Sequence, residues 1–360
     1  MSTHTQPILV AAAVDYDMVA GKRHGDIANR IADDIRLSRR LDLGLDRETE
    51  MTKALPSYKP PAERRGRELE GGIIIIGRPT FKEFMSGLQK GWTQSLEKVD
   101  RDEVLAGILE NDTHFDEPED LQHDLTDDAF THPTQQQLSP KSTPPQQSQK
   151  GSPLLNSMDQ STSVIPPLPP LLLVPFINYI GISQIPLMIW GFFNQRHQVR
   201  SGAKAGYRII MNENRPIEVP EDANELLSSS PTTGDVQATN LGDLDFDKIA
   251  ESYYKKSLDS LHEDTEKARK KYYEDLAAKL RIARQLARGT REPTKEELEN
   301  PPPTEVELRA ERLKKERRWR DDLEGWDIIK PSSNVSWHER CRGALRIFIT
   351  PNNEDDSQAS

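Results

Sequence analysis

A polar segment near the middle of the chain sets the strongest limit on how the chain folds. From Asp112 to Ser163 the sequence is first acidic and then rich in Gln, Ser, Thr and Pro. Such a composition cannot bury enough apolar surface to offset the entropy lost on folding, so we predict a disordered insert. Hydrophobic residues make up 34% of the chain, below the roughly 45–50% of an ordinary globular chain. A single compact domain of 360 residues is therefore excluded.

Short apolar runs on both sides of the insert predict a mixed α/β fold. The clearest is Gly72–Ile76, where four consecutive isoleucines favour a strand because β-branched side chains pack well on a pleated surface. Apolar residues at helical spacing predict amphipathic helices at Asp26–Leu41 and Phe81–Val99. Strands separated by helices are typical of a small mixed sheet with helices packed on it. The predicted strands are Ile8–Val14, Gly72–Ile76, Leu171–Phe176 and Ala344–Thr350.

The most apolar part of the chain is Val164–Phe193, and no charged residue lies between Gln160 and Gln195. This length satisfies the criterion for a transmembrane helix. Six prolines interrupt the stretch, and each costs about 3 kcal/mol in a helix interior. We therefore predict no membrane span here. We predict a polyproline segment, then a short strand, and then a helix that begins at Ile185 and runs through His197 towards Tyr207.

The second half of the chain is dominated by charged helices. Phe246–Arg288 is a long polar stretch with apolar residues at helical spacing, and we predict a projecting helix. Thr304 and Glu307 form a capping-box pattern that opens a further helix at Glu305–Asp322. The predicted division is an α/β domain in two parts (1–111 and 164–215), the insert (112–163), a linker (216–242), a charged helical region (243–330), and a closing strand with a polar tail (331–360).

Charge is unevenly distributed along a chain whose net charge is -11. Twelve acids lie between residues 100 and 128, against a single base. The run Leu308–Arg320 is strongly basic, and two alternatives for it are a nucleic-acid face and a contact with anionic lipid headgroups. The acids that interleave with these bases favour a solvated helix face, with Trp319 and Trp326 packed inward.

No residue pattern predicts a catalytic, cofactor or metal site. Gly77 opens a helix as a phosphate-binding loop does, and Arg78 is placed either to meet an anion or to pair with Glu83, but both glycine-rich nucleotide motifs are absent. The eight histidines do not gather at ligand spacing. The chain has a single cysteine, Cys341, so an internal disulfide framework is excluded. The arginines on either side of Cys341 favour a lowered pKa of its thiol. No base is paired with the thiol, so a role as a nucleophile has little support. One alternative function remains, a small-molecule or phosphate-binding α/β enzyme that uses Gly77 and Arg78.

Nine stretches along the chain together resemble a known family. They include RLDLGL (40–45), GRPTFKEFMSGLQKGW (77–92), IPPLPPLLLVPFINYI (165–180), FFNQRHQVRSGAKA (192–205), ESYYKK (251–256), ARKKYYE (268–274) and PPPTEVELRAERLKKERRW (301–319), followed by 325–330 and 343–348. In this order they resemble the fungal Tim54 family, a subunit of the mitochondrial inner-membrane carrier translocase (the TIM22 complex). The resemblance covers most of the chain outside 112–163.

This resemblance implies a non-enzymatic scaffold and assembly subunit of the machine that inserts multispanning carrier proteins. It implies a place at the mitochondrial inner membrane, with the bulk of the protein facing the intermembrane space. The implied partners are the other translocase subunits, the small Tim chaperones, carrier precursors and the inner membrane; no cofactor and no nucleic acid are implied. Family members carry a membrane anchor, a strand and a helix ahead of the segment that matches residues 7–19, so we expect the sequence as given to be truncated at its front.

Five residues are candidate partner contacts. Arg196, His197 and Arg200 follow the apolar helix, where they are placed to meet a partner or lipid headgroups. Trp319 and Trp326 are candidate interface anchors, because tryptophan and arginine are enriched at binding hot spots. Ordinary packing or solvation is the alternative for each of them.

Overall fold

The computed structural model describes residues 15–46, 69–97, 100–115, 165–176, 185–194, 196–221, 241–331 and 333–349, together with residues 10 and 66. The helices are α1 (Asp26–Asp42), α2 (Arg78–Thr93), α3 (Arg101–Glu110), α4 (Ile185–Phe193), α5 (Arg196–Met211), α6 (Glu251–Ala287), α7 (Lys295–Glu299) and α8 (Glu305–Ile329). The strands are β1 (Ile73–Ile76), β2 (Leu171–Val174), β3 (Asn214–Pro216) and β4 (Arg346–Phe348). The fold is mixed α/β, as the sequence predicts.

The chain forms two compact units. The first, here called the sheet unit, comprises Met1–Leu96, Thr162–Ala268 and Arg318–Ser360. The second, here called the helical unit, comprises Glu97–Ser161 and Arg269–Arg317.

Among the described residues, the sheet unit contains four strands in the order β1-β2-β4-β3. β1 pairs with β2 in parallel over its whole length, from Ile73 opposite Leu171 to Ile76 opposite Val174. β4 lies parallel to β2 on the other side, and β3 pairs antiparallel with β4 at the edge. Strands from four distant parts of the sequence therefore form one mixed sheet.

Both faces of the apolar strands β1 and β2 are covered. Alternate side chains point to opposite faces of a strand. Leu171 packs in a cluster with Ile75 and with Phe81, Met85 and Leu88 of α2. Its neighbours Leu172 and Val174 pack on the opposite face, with α5. A strand buried on both faces needs an unbroken apolar sequence, which explains the runs IIII and LLLV.

Helices α1 and α2 pack closely through small residues. A Cβ atom built on Gly87 lies 2.6 Å from the carbonyl oxygen of Ala28, so only glycine fits there. The N-terminus of α1 is capped from outside the helix, since its N-cap residue Gly25 has no side chain. The Glu83 carboxylate of α2 accepts a hydrogen bond from the Ile27 amide at 3.2 Å, although burial raises the pKa of that carboxyl.

The helical unit is held by a buried polar network. The Arg312 guanidinium donates to both carboxylate oxygens of Asp112, and its Nε donates to the Tyr273 hydroxyl at 3.1 Å. That hydroxyl donates to Glu316 at 2.6 Å. The hydrogen bonds from Arg312 hold the pKa of the Asp112 carboxyl below its usual range. A buried arginine with this many acceptors fixes the turn after α3 against α6 and α8.

One predicted strand lies almost wholly outside the described residues, and one observed strand is not predicted. Of Ile8–Val14 the structure describes only Val10, whose backbone is helical, so the strand prediction does not hold at that residue. Strand β3 is not predicted by the sequence, because Asn214, Arg215 and Pro216 show no apolar alternation. Proline is tolerated at such an edge position. The predicted disordered insert lies outside the described residues apart from 112–115.

The predicted helices are present in the structure, but several of them begin or end at other residues than predicted. α2 begins at Arg78, not Phe81, because Pro79 suits the first turn of a helix. The single helix predicted from Ile185 towards Tyr207 is two helices, and the first ends before Asn194. α6 begins at Glu251, after two short 3-10 turns, and α8 continues to Ile329.

Candidate functional site

Helix α4 exposes an apolar surface. Its sequence, IPLMIWGFF, contains no charged, amide or hydroxyl side chain, and its single polar side-chain group is the indole N–H of Trp190. Trp190 is 68% exposed and Phe193 is 80% exposed, and Met188, Ile189 and Phe192 are exposed as well. A helix that is apolar all round is normally buried, so this exposure marks α4 as a surface for binding.

Helix α5 follows directly and combines one packed face with one open face. Ala205 and Ile209 pack against Val174 and Phe348 of the sheet. Arg196, Arg200, Lys204 and Arg208 recur every four residues, so they follow one side of the helix. Arg196, Arg200 and Lys204 are exposed, and α5 contains no acidic residue. The open face of α5 is therefore positively charged.

A cleft of about 660 Å³ lies beside α5 in the sheet unit. It is lined by Arg200, Lys204 and Arg208, by the ends of β2 and β4, and by Arg215 and Asp243. Arg215 forms a bidentate ion pair with Asp243, with both N–O distances at 2.8 Å. Arg200 and Lys204 of α5 therefore contribute positive charge to the cleft.

Gly77 and Arg78 form hydrogen bonds and an ion pair inside the sheet unit. Arg78 is 4% exposed; its guanidinium donates to the Glu251 carboxylate at 2.6 Å and to the carbonyl oxygens of Leu244 and Phe246. Lys82 reaches the same carboxylate at 2.5 Å. The amide of Gly77 donates to the Val174 carbonyl at 2.8 Å. Arg78 thus pairs with Glu251, not with Glu83 or an external anion.

Comparison with known proteins identifies the family. Residues 2–289 match the family described as "Inner membrane protein import complex subunit Tim54". This match covers more than half of the 360-residue chain. The chain belongs to the Tim54 family.

Relatives from several fungi agree with this assignment. The chain is 33% identical to the mitochondrial import inner membrane translocase subunit TIM54 of Cryptococcus neoformans, over 97% of this chain and 73% of that protein. It is 25% identical to TIM54 of Candida albicans, over 59% of this chain and 62% of that protein. It is 36% identical to tim54 of Aspergillus oryzae, over 26% of this chain and 22% of that protein. No solved structure matches the chain. The family and these relatives indicate a mitochondrial inner-membrane import translocase subunit.

The structure places the candidate contacts of this Tim54 family member in two different environments. Arg196 and Arg200 lie on the exposed part of α5, and Arg200 also lines the cleft. His197 lies in the same helix, and its side chain is outside the described part of the structure. Trp319 is 9% exposed, and the indole of Trp326 donates to the Leu258 carbonyl at 2.7 Å. Both tryptophans take part in internal packing.

The basic run of α8 is balanced by neighbouring acids. Arg309 pairs with Glu305 at 2.9 Å and Lys315 with Glu311 at 2.9 Å, each one helical turn apart. Arg312 is buried against Asp112. These pairs explain how a strongly basic sequence forms an ordinary helix face. The paired bases give no support to a nucleic-acid face or a headgroup contact at α8.

The prediction of a lowered pKa for Cys341 is wrong. The thiol is buried, and burial raises its pKa to about 11, with the nearby Glu339 carboxylate adding to the effect. Arg342 does not face the thiol, because its guanidinium contacts Glu339 and the carbonyl oxygens of Val219 and Pro220. Flanking positions in sequence therefore say little about the electrostatics at this sulfur.

The described residues form neither a membrane-spanning helix nor a cluster of metal ligands. No helix in the described ranges is both long and apolar enough to cross a membrane. The described part of the chain also holds no group of three or more His, Cys, Asp or Glu side chains placed to hold a metal ion.

Sequence reasoning missed Lys204 and Arg208 of the cleft and the exposure of Trp190. Two signals in the sequence point to them. The bases of α5 recur every four residues without an intervening acid, which indicates a charged stripe. The α4 sequence has no charged, amide or hydroxyl side chain to face water. A helix that is apolar all round is expected to contact an apolar partner or a membrane instead of solvent.

Proposed function

We propose that this chain is a non-enzymatic scaffold subunit of the translocase that inserts multispanning carrier proteins into the mitochondrial inner membrane, the TIM22 complex. Membership of the Tim54 family is the observation that carries the proposal. The bulk of the protein faces the intermembrane space. Its partners are the other translocase subunits, the small Tim chaperones and carrier precursors.

The placement of the reactive side chains supports a role without catalysis. Arg78 and Lys82 share the Glu251 carboxylate inside the sheet unit. Burial is the main cause of a lowered pKa at Lys82, and it raises the pKa of Cys341. The groups that the sequence offered for anion binding and nucleophilic chemistry are thus used in packing.

Depletion of the protein in a fungus tests the proposal. We expect less assembled translocase on native gels and slower insertion of a radiolabelled carrier precursor into isolated mitochondria. A matrix-targeted precursor, imported in parallel, should enter at the normal rate. Re-expression of the wild-type protein should restore carrier insertion.

Normal carrier insertion after depletion would contradict the proposal. The alternative enzyme is tested separately by calorimetry of the purified protein with nucleotides. Since Arg78 is already paired with Glu251, we expect no nucleotide binding at the Gly77–Arg78 loop, so any heat of binding at millimolar nucleotide should be the same in R78Q as in the wild type. Clear binding that is lost in R78Q would support the alternative instead.

A further inference from the structure

Helix α4 needs an apolar environment that the described fold does not give it. Its largest side chains, Trp190, Phe192 and Phe193, are between two-thirds and four-fifths exposed. The indole N–H of Trp190 is the single side-chain hydrogen-bond donor in the α4 sequence, so the helix offers little that would set a register against a protein partner. A lipid bilayer requires no such register. Tryptophan is enriched at the membrane interface, and tryptophan, phenylalanine and leucine are typical of the apolar face of an interfacial helix.

The adjoining residues show which kind of bilayer fits. Residues 185–211 carry four bases and no acid, within a chain of net charge -11. Arg196, Arg200 and Lys204 are exposed, and none of them has an ion-pair partner among the residues that the structure describes. A cluster of bases beside an interfacial helix is attracted to anionic lipid headgroups.

We propose that α4 and the open face of α5 dock on a bilayer that contains anionic phospholipids. Nine helical residues span about 14 Å, far less than the roughly 30 Å of a hydrocarbon core. The proposal therefore places the described helix α4 in the interface, along the membrane surface. Arg196, Arg200 and Lys204 contact the lipid phosphates.

The cleft beside α5 supports the same orientation. Arg200 and Lys204 line it together with Arg208, and its volume of about 660 Å³ is within the usual range for a bound small molecule. An anionic headgroup held there would keep α4 at the membrane surface. The inference does not depend on the proposed role in carrier insertion.

Vesicle flotation of the complete 360-residue chain tests the proposal. We expect the protein to float with vesicles of phosphatidylcholine and phosphatidylglycerol, and to float poorly with phosphatidylcholine alone. High salt should weaken the binding, because it screens the attraction between bases and headgroups.

Two variants separate the apolar and electrostatic contributions. Each base near an anionic surface changes partitioning about fivefold, so R196Q/R200Q/K204Q should lower it by about 100-fold. W190S/F192S/F193S should lower it by at least about tenfold. The matched control K270Q/K271Q/K279Q makes the same change in charge on exposed lysines of α6 and should leave partitioning within about fivefold of wild type. Thermal unfolding of each variant checks that the fold is kept.

Tryptophan fluorescence gives a second, local readout. Trp190 is exposed in the free protein, so its emission should shift to the blue when anionic vesicles are added. The shift should be much smaller in W190F, which keeps an aromatic side chain and should still float. If the wild-type chain binds neither kind of vesicle, or if the α4 substitutions leave flotation unchanged, the proposal is wrong and α4 is left for a protein partner.

Discussion

At the scale of single residues, the buried thiol of Cys341 makes a sharp test of the sheet unit. Its pKa is raised from 9.0 to about 11, and because the thiolate is the reactive form, this lowers the reactive fraction about 100-fold. We expect iodoacetamide to modify the folded protein at neutral pH at least about 100-fold more slowly than a free cysteine. The rate of alkylation, followed by mass spectrometry, measures this directly.

The same reaction in concentrated urea is the control. Cys341 is the single cysteine of the chain, so every modified molecule reports on this position. Unfolding should restore the reactivity of an ordinary thiol. Alkylation of the folded protein at the rate of a free cysteine would mean that the thiol is not buried.

Arg78 shows where residue-level prediction ends. The sequence correctly singles out Arg78 at the start of a helix, but it suggests Glu83 as the internal partner. The observed partner, Glu251, lies 173 positions away. No local spacing signals such a contact, because the sheet and its helices must form before the two side chains meet. Arg196 and Arg200 were easier to place, since their position after an apolar helix is a local property.

At the scale of elements, the contact between α1 and α2 depends on small residues at matching positions. Gly87 and Gly91 of α2 lie against α1, and a Cβ on Gly91 would come within 2.8 Å of the Ile35 Cβ. We expect G87A to lower the free energy of unfolding by about 1–3 kcal/mol, because the methyl group would force the helices apart. Urea unfolding followed by circular dichroism measures the change.

Gly107 supplies a matched control within another helix. It lies in α3, and a Cβ built on it meets nothing within 4 Å. G107A should leave stability unchanged or raise it by about 0.5–1 kcal/mol, since alanine is the better helix former. Equal effects of G87A and G107A would show that the α1–α2 contact is looser than described.

Elements with strong periodic or apolar patterns were predictable from the sequence, and the others were not. The isoleucine run of β1 and the apolar spacing of α1 identify both elements. β3 was missed because an edge strand of Asn, Arg and Pro has no such pattern. The exposure of α4 was also missed, since an apolar sequence alone cannot distinguish a core helix from one that binds a membrane or a partner.

At the scale of the whole molecule, local sequence patterns predict the fold class but not the order of the strands in the sheet. β1 and β2 are neighbours although residues 77–170 separate them, and β4 comes from near the end of the chain. Their pairing depends on which helices cover each face, which local patterns do not encode. The two-unit division likewise depends on long-range contacts, such as that between Arg312 and Asp112.

Both units contain a buried acid whose pKa is raised, so stability should fall at alkaline pH. Burial raises the pKa of Cys341 from 9.0 to about 11 and that of Tyr272 from 10.0 to about 12. The folded state then binds more protons than the unfolded state, and the free energy of unfolding decreases as pH rises through these ranges. We expect the urea concentration at the unfolding midpoint to decrease as the pH is raised from 9 to 12. Compared with the wild type, the decrease should be less steep for C341A up to pH 11 and for Y272F above pH 10. Other groups titrate alike in all three proteins, so identical slopes would contradict the prediction.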